Sequence, residues 1–240
     1  MSLVRVSLVV VQAVTNQWAC TPPNPTQEKN RFHKEELYIL QIAPLIFKIH
    51  MTILWICAVF EVLYYISTVV PLSSISPLAS TAVCPHTSEP HIRMSPMFTI
   101  GIIAVVLGSY IRLDCFKTLG RLFTFDLTVQ PEHKLITSRF YAYVRHPAYT
   151  GSMLLCAFAA SQSLAGLALS HLTEGSWLTE CGPLRSSGSA IVVWAAWWVW
   201  TLAVGISRAE AEDKQMQKLF PEEWDKYAML VPWWFFPGLA

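Results

Sequence analysis

Four stretches of this chain meet or approach the length and apolarity needed to cross a bilayer, and they constrain its fold more than any other feature. They are residues 49–70, 97–113, 149–169 and 190–206, set against about 20 residues per helix and roughly 17 as a working minimum. A fifth stretch, residues 3–18, is apolar but short, and Gln12 and Asn16 interrupt it. Its only early positive charge is Arg5 and no small-residue cleavage site follows cleanly, so an anchoring helix is expected rather than a removed signal. With 53% hydrophobic and only 14% charged residues, the composition falls in the membrane class. A net charge of +1 leaves no basic face for nucleic acid. Ten Trp and twelve Phe suit lipid and its interfaces.

The connections divide the chain. The run Thr21-Pro22-Pro23-Asn24-Pro25 ends the first helix, because proline supplies no donor and cannot continue it. Residues 37–47 form an apolar run, either an interfacial helix or the start of the second span interrupted at Pro44. Residues 71–96 are a Ser- and Pro-rich loop. With five spans, one side collects Lys29, Arg31, Lys34 and Lys48, then Arg112, Lys117, Arg121, Lys134, Arg139 and Arg145, then Arg208, Lys214, Lys218 and Lys226. The other holds Arg5, Arg93 and Arg185. Lys and Arg resist translocation, so the basic side is expected to face the cytosol. The predicted fold class is an all-α integral membrane protein, a bundle of about five transmembrane helices. Residues 1–95 would supply N-terminal helices and loops, and 96–240 the catalytic membrane core.

Six Cys show no paired metal-type spacing and read as small buried hydrophobes. Cys84 and Cys181 fall on the non-cytosolic side, where a disulfide is possible, but the sequence supplies no geometry for it. Glu61 lies mid-span, a position that makes an acidic residue a functional candidate, although an interhelical partner or snorkelling accounts for it better than catalysis. Trp194, Trp197, Trp198 and Trp200 read as packing and interfacial belt, with the lining of an apolar groove as the alternative. Trp and Pro residues near the C-terminus suggest a tail on the interface.

Two polar clusters resist explanation as membrane packing. The first runs Gln130-Pro131-Glu132-His133-Lys134-Leu135-Ile136 and then Tyr141-Ala142-Tyr143-Val144-Arg145-His146-Pro147-Ala148-Tyr149-Thr150-Gly151. Pro147 suits a first helical turn, so the fourth span starts here with its positive pole at the cytosolic face. A basic interfacial collar would explain Arg139 and Arg145, but it needs no His, Pro, Tyr and Gly in that order. The second cluster is Arg208-Ala209-Glu210-Ala211-Glu212-Asp213, followed by Leu219-Phe220-Pro221-Glu222-Glu223-Trp224 and Tyr227. Arg208 and Glu212 share a helical face where the last span leaves the membrane, which alone is an ordinary surface pair.

Taken together, the clusters resemble the isoprenylcysteine carboxyl methyltransferase family. Its signature is R-H-P-x-Y-x-G at the head of one membrane helix, R-x-x-x-E-E/D after the next, and then F-x-x-E-W/Y-x-x-Y. Asp213 fills the second acidic place, and Pro221 stands where the family usually has Gly. Arg112, Thr118-Leu119-Gly120, Phe123-Thr124, Gln130 and His133 to Ile136 extend the likeness, which covers roughly residues 108 to 231.

The resemblance implies an all-helical membrane fold with a cytosolic cofactor site around the last two helices. Residues at the family positions matching Gln130, His133, Lys134, Leu135, Ile136, Tyr141, His146, Pro147, Ala148, Tyr149 and Glu212 would hold S-adenosylmethionine. Arg208 would bind the substrate carboxylate, and Arg208 and Glu212 would form the catalytic pair. The implied acceptor is the prenylated C-terminal cysteine of CaaX-type proteins, small-GTPase-like or pheromone-like. No metal is implied, and the bilayer is the other partner. Residence in the endoplasmic reticulum also follows from the family, since residues 236–240 carry no retrieval signal.

The residue types suit that chemistry. An α-carboxylate has an ordinary pKa near 3.3–3.7 and is already a nucleophile at neutral pH, so no general base is required. Arg208 would take it in a charge-assisted pair, and aromatic faces such as Tyr141 and Tyr149 would stabilise a sulfonium. A phospholipid N-methyltransferase shares part of the pattern, but an amine nucleophile gives a carboxylate-binding Arg no purpose. A sterol reductase has a related ending on a longer chain, and a membrane adaptor leaves the first cluster unexplained.

Overall fold

In the computed structural model the described residues are 1–26, 28–31, 42–69, 81–85, 90–156, 171, 175–184 and 187–239. They form seven α-helices: α1 (Leu3–Cys20), α2 (Ala43–Val69), α3 (Pro96–Leu119), α4 (Pro147–Cys156), the short α5 (Trp177–Glu180), α6 (Ser187–Leu219) and α7 (Pro221–Leu230). No strand is present among the described residues. Residues 37–41 of the 37–47 run, much of the 71–96 loop and the far part of the expected fourth span, 157–169, lie outside the described residues.

Among the described residues, three helical segments are long and apolar enough to cross a membrane: Pro44–Val69, Pro96–Leu122 and Ile191–Leu219. They correspond to the second, third and fifth expected spans, and the chain is a helical membrane protein. Their outer surfaces expose Ile56, Val59, Leu63 and Ile66 on α2, Ile103 and Leu107 on α3, and Val192 and Val199 on α6. Such a belt is stable against acyl chains, whereas in water it would drive association. With 33 residues, α6 is about 50 Å long at 1.5 Å per residue, more than the roughly 30 Å hydrocarbon core, so its last turns stand clear of the lipid. Those turns carry the second polar cluster.

The first helix folds as expected but turns its polar side inward. Arg5, Gln12 and Asn16 are buried, while Leu3, Val4, Val11 and Trp18 are exposed. Glu61 takes an interhelical partner, with Arg5 Nε and Nη2 donating to its two oxygens at 2.8 Å each. The backbone N–H of Trp177 adds a third donor at 3.3 Å. A charge buried in hydrocarbon persists only when paired this way. At the same end a disulfide joins Cys84 and Cys181 beside Trp177, which stacks on Phe60 at 4.3 Å.

The opposite end gathers the basic loops. Asn24 Nδ2 donates to the carbonyls of Gly120 and Phe123, each at 2.8 Å, and Thr26 bonds Asp126 at 2.7 Å. The helices cross most closely at α3 and α4. A Cβ on Gly108 would lie 2.7 Å from the Gly151 carbonyl oxygen, and one on Gly151 would lie 2.6 Å from Arg112 Cγ. Gly151, the last residue of the first polar string, is thus set by backbone approach between α3 and α4.

Candidate active site

The approach to α4 is fixed from below. Arg139 forms an ion pair with Asp114 of α3, its Nε 3.0 Å from Oδ2, and so acts as a tether rather than a lipid collar. This anchors the helical turn Arg139–Ala142, where Arg139 itself has φ 59. From α7 the Tyr227 hydroxyl donates to the Tyr141 carbonyl at 2.7 Å. Arg112 ties α3 to its neighbours, donating to the Ala19 carbonyl at 2.9 Å, the Ala148 carbonyl at 3.2 Å and Ser152 Oγ at 2.5 Å. Its guanidinium sits 5.0 Å from the ring of Phe47 and 5.2 Å from that of Phe125.

The C-terminal segment departs from the expected interfacial tail. It crosses the head of α4, where the N–H groups of Arg145 and His146 donate to the carbonyls of Trp233 (2.9 Å) and Trp234 (3.0 Å). The Thr150 hydroxyl reaches the Phe235 carbonyl at 2.6 Å. Backbone donors at a helix start have no intrahelical acceptor, and the tail supplies them.

His146 is the centre of the polar site. Its Nδ1 is 3.1 Å from Glu212 and its Nε2 2.7 Å from Asp213, so the imidazole is clasped between consecutive carboxylates on α6. Tyr149 donates its hydroxyl to the other Glu212 oxygen at 2.5 Å. Burial alone would lower the His146 pKa, but hydrogen bonds to Asp213 and Glu212 outweigh it and raise it from 6.5 to about 9. At neutral pH the ring is therefore a cation with both nitrogens donating. Burial lowers His133, with the Glu212 charge opposing, and pushes the Tyr141 phenol well above its ordinary value.

These groups open onto one cavity of about 190 Å³. Ten of the twelve sequence-predicted site residues line it: His133, Lys134, Leu135, Ile136, Tyr141, His146, Ala148, Tyr149, Arg208 and Glu212. The exceptions are Gln130, which accepts from Asn30 at 3.0 Å, and Pro147, fully buried in the first turn of α4. Arg208 is 4% exposed, one turn before Glu212, and its Nη1 donates to the Phe125 carbonyl at 2.7 Å.

Aromatic and apolar residues also line the cavity, among them Phe47, Phe125, Trp197, Trp200 and Val204, together with His50. Trp197 and Trp200 thus wall the cavity. Sequence reasoning missed His50, the Phe125 carbonyl, the bridging role of Asp213 and the tail. Only Asp213 had a signal, its place in the Arg-Glu-Asp string.

The fold and this cavity define a helical membrane protein with a cavity lined by both charged and apolar residues. Residues 100–172 match the model of the isoprenylcysteine carboxyl methyltransferase (ICMT) family. It is similar to protein-S-isoprenylcysteine O-methyltransferase B of Arabidopsis thaliana, 25% identical over 134 residues that make up 55% of each chain. The probable protein-S-isoprenylcysteine O-methyltransferase of Oryza sativa subsp. indica is also 25% identical over 134 residues, 55% of this chain and 57% of that one. The Homo sapiens protein-S-isoprenylcysteine O-methyltransferase is 27% identical over 136 residues, 55% of this chain and 38% of that one. The chain spans about half the length of the curated plant relatives it matches. No solved structure gives a significant match.

Proposed function

We propose that this protein transfers a methyl group from S-adenosylmethionine to the C-terminal carboxylate of a prenylated cysteine in CaaX-type proteins. The observation that carries the reading is Arg208 and Glu212, one turn apart on α6, lining a single cavity together with aromatic residues. The names of the similar plant and human proteins point the same way.

The residues fit the donor. Glu212 offers a carboxylate for an amino group, and His133 Nδ1 is buried with no hydrogen-bond partner among the described residues. Tyr141 and Tyr149 bring aromatic rings to the same cavity, and a ring face attracts a sulfonium. When bound, S-adenosylmethionine supplies a methyl carbon on a cationic sulfur that departs with the bonding pair.

Every other contribution comes from the chain. Arg208 holds the acceptor carboxylate and turns one oxygen toward the donor. The aromatic lining takes the prenyl chain and excludes water. Opposite charges are neutralised in the transition state, so a dry cavity favours the reaction. Arg208 and Glu212 form the catalytic pair, with Gln130 and Pro147 supporting the cofactor end through the loop and helix start they hold. In this reading five spans place the site at the cytosolic face of the endoplasmic reticulum, and residues 96–240 carry the chemistry. Residues 1–95 anchor the chain and lend Phe47 and His50 to the cavity wall.

Purified protein in detergent, given labelled S-adenosylmethionine and N-acetyl-S-farnesylcysteine, is expected to yield base-labile methyl ester. Arg208→Ala should cut kcat/KM for that acceptor by about a hundredfold, the loss of one buried charge-assisted contact, with donor affinity kept. An Arg208→Ala enzyme with unchanged acceptor kinetics removes the carboxylate role.

A further inference from the structure

We propose that Asp213 is a positioning residue for the donor site, holding His146 against Glu212, and that residues 231–236 are the strap that holds Asp213. The inference rests on the methyltransferase reading for its ligand, and on geometry alone for its wiring.

Glu212 is the group proposed to meet the donor, and hydrogen bonds from outside its own helix aim it. Its two oxygens are oriented by His146 at 3.1 Å and Tyr149 at 2.5 Å, both at the head of α4. His146 can serve that purpose only if the ring is held in one orientation with Nδ1 toward Glu212. Asp213 does this from the other side, 2.7 Å from Nε2. Asp213 is itself fixed by Arg145 Nη1 at 2.8 Å and by Trp234 Nε1 at 3.0 Å. Arg145 Nη2 in turn donates to the Pro232 carbonyl at 3.1 Å. The strap therefore touches the backbone before α4, the Arg145 side chain and the carboxylate that orients His146. A tail that merely lay on the interface would need none of these bonds.

The charged and titratable groups around the imidazole come from every neighbouring element. Glu212 and Asp213 face it from α6, Arg145 precedes it, and Tyr149 lies one turn on. His133 approaches Glu212 from the loop, and Tyr227 of α7 lies near Arg145 and Asp213. Trp234 and Phe235 of the strap pack on the ring without charge. Two carboxylates share one cation, so removing either leaves His146 less firmly protonated and Glu212 less firmly aimed.

The test uses the full chain in detergent, with Asp213→Asn as an isosteric variant and Trp234→Phe as one that keeps an aromatic ring but removes the indole N–H. His146 is titrated by NMR without donor, and S-adenosylmethionine binding is measured by calorimetry. In Asp213→Asn the His146 midpoint should fall by about one unit or more, the usual effect of losing an adjacent opposite charge. Donor affinity should fall about tenfold, as for loss of a charge-assisted hydrogen bond. The KM for N-acetyl-S-farnesylcysteine should stay within about twofold, since Arg208 is untouched. Trp234→Phe should move both readouts the same way by a smaller factor, and it decides the matter alone if Asp213→Asn does not fold. An unmoved His146 midpoint with unmoved donor affinity overturns the proposal. The NMR readout needs no methyl acceptor, so a wild-type protein that fails to methylate farnesylcysteine would sink the functional reading and leave this wiring to its own result.

Discussion

At the scale of single residues, His146 couples the site to pH. Its value rises from 6.5 unfolded to about 9 folded, so the folded state holds a proton that the unfolded chain releases. The stabilisation is complete below pH 6.5, declines above it and is gone once the pH passes about 9. The thermal midpoint of the donor-free protein should therefore fall across that window, and His146→Gln should flatten the fall. A wild-type curve as flat as the variant's would contradict the ion-paired imidazole. The identity of this residue was legible because His, Pro, Tyr and Gly stand in a short fixed string. Its two carboxylate partners were not, because Glu212 and Asp213 lie 66 and 67 residues away and only the packing of α6 on α4 brings them there. Glu61 gives the same lesson: its mid-span position flagged it, and its partner Arg5, 56 residues off, emerged only when α1 turned its polar side inward.

At the scale of elements, the apolar runs forecast α2, α3 and α6 because membrane helices are written in consecutive residues. The crossing of α3 and α4 was less readable, since Gly151 looked like part of a chemical string rather than a contact. Its Cβ would meet Arg112 Cγ at 2.6 Å and the Gly108 carbonyl at 2.8 Å. Gly151→Ala should therefore push α4 outward, destabilising the protein by about 1–3 kcal/mol as overpacking does, and should lower activity because α4 carries Tyr149 and follows directly on His146. Gly188→Ala meets nothing within 4 Å and serves as the control. Equal melting curves for the two variants would show that the close crossing is not needed.

At the scale of the whole molecule, the chain sorts its functions by end. Arg5, Glu61 and the Cys84–Cys181 bridge lie at one end, while Arg145, His146, Arg208 and the acidic pair lie at the other. The disulfide joins residues 97 apart, a pairing that loop composition permitted but only the folded chain specifies. One cavity is lined both by aromatic residues such as Phe47, Phe125, Trp197 and Trp200 and by the charged Arg208 and Glu212, a combination that in the proposed reading suits an acceptor apolar at one end and anionic at the other. The measurement that tests this most directly is acceptor choice. Labelled S-adenosylmethionine is offered with N-acetyl-S-farnesylcysteine, its carboxamide, and phosphatidylethanolamine in parallel. The account predicts base-labile label on the free carboxylate alone. Label on phosphatidylethanolamine, or equal label on the carboxamide, would contradict it.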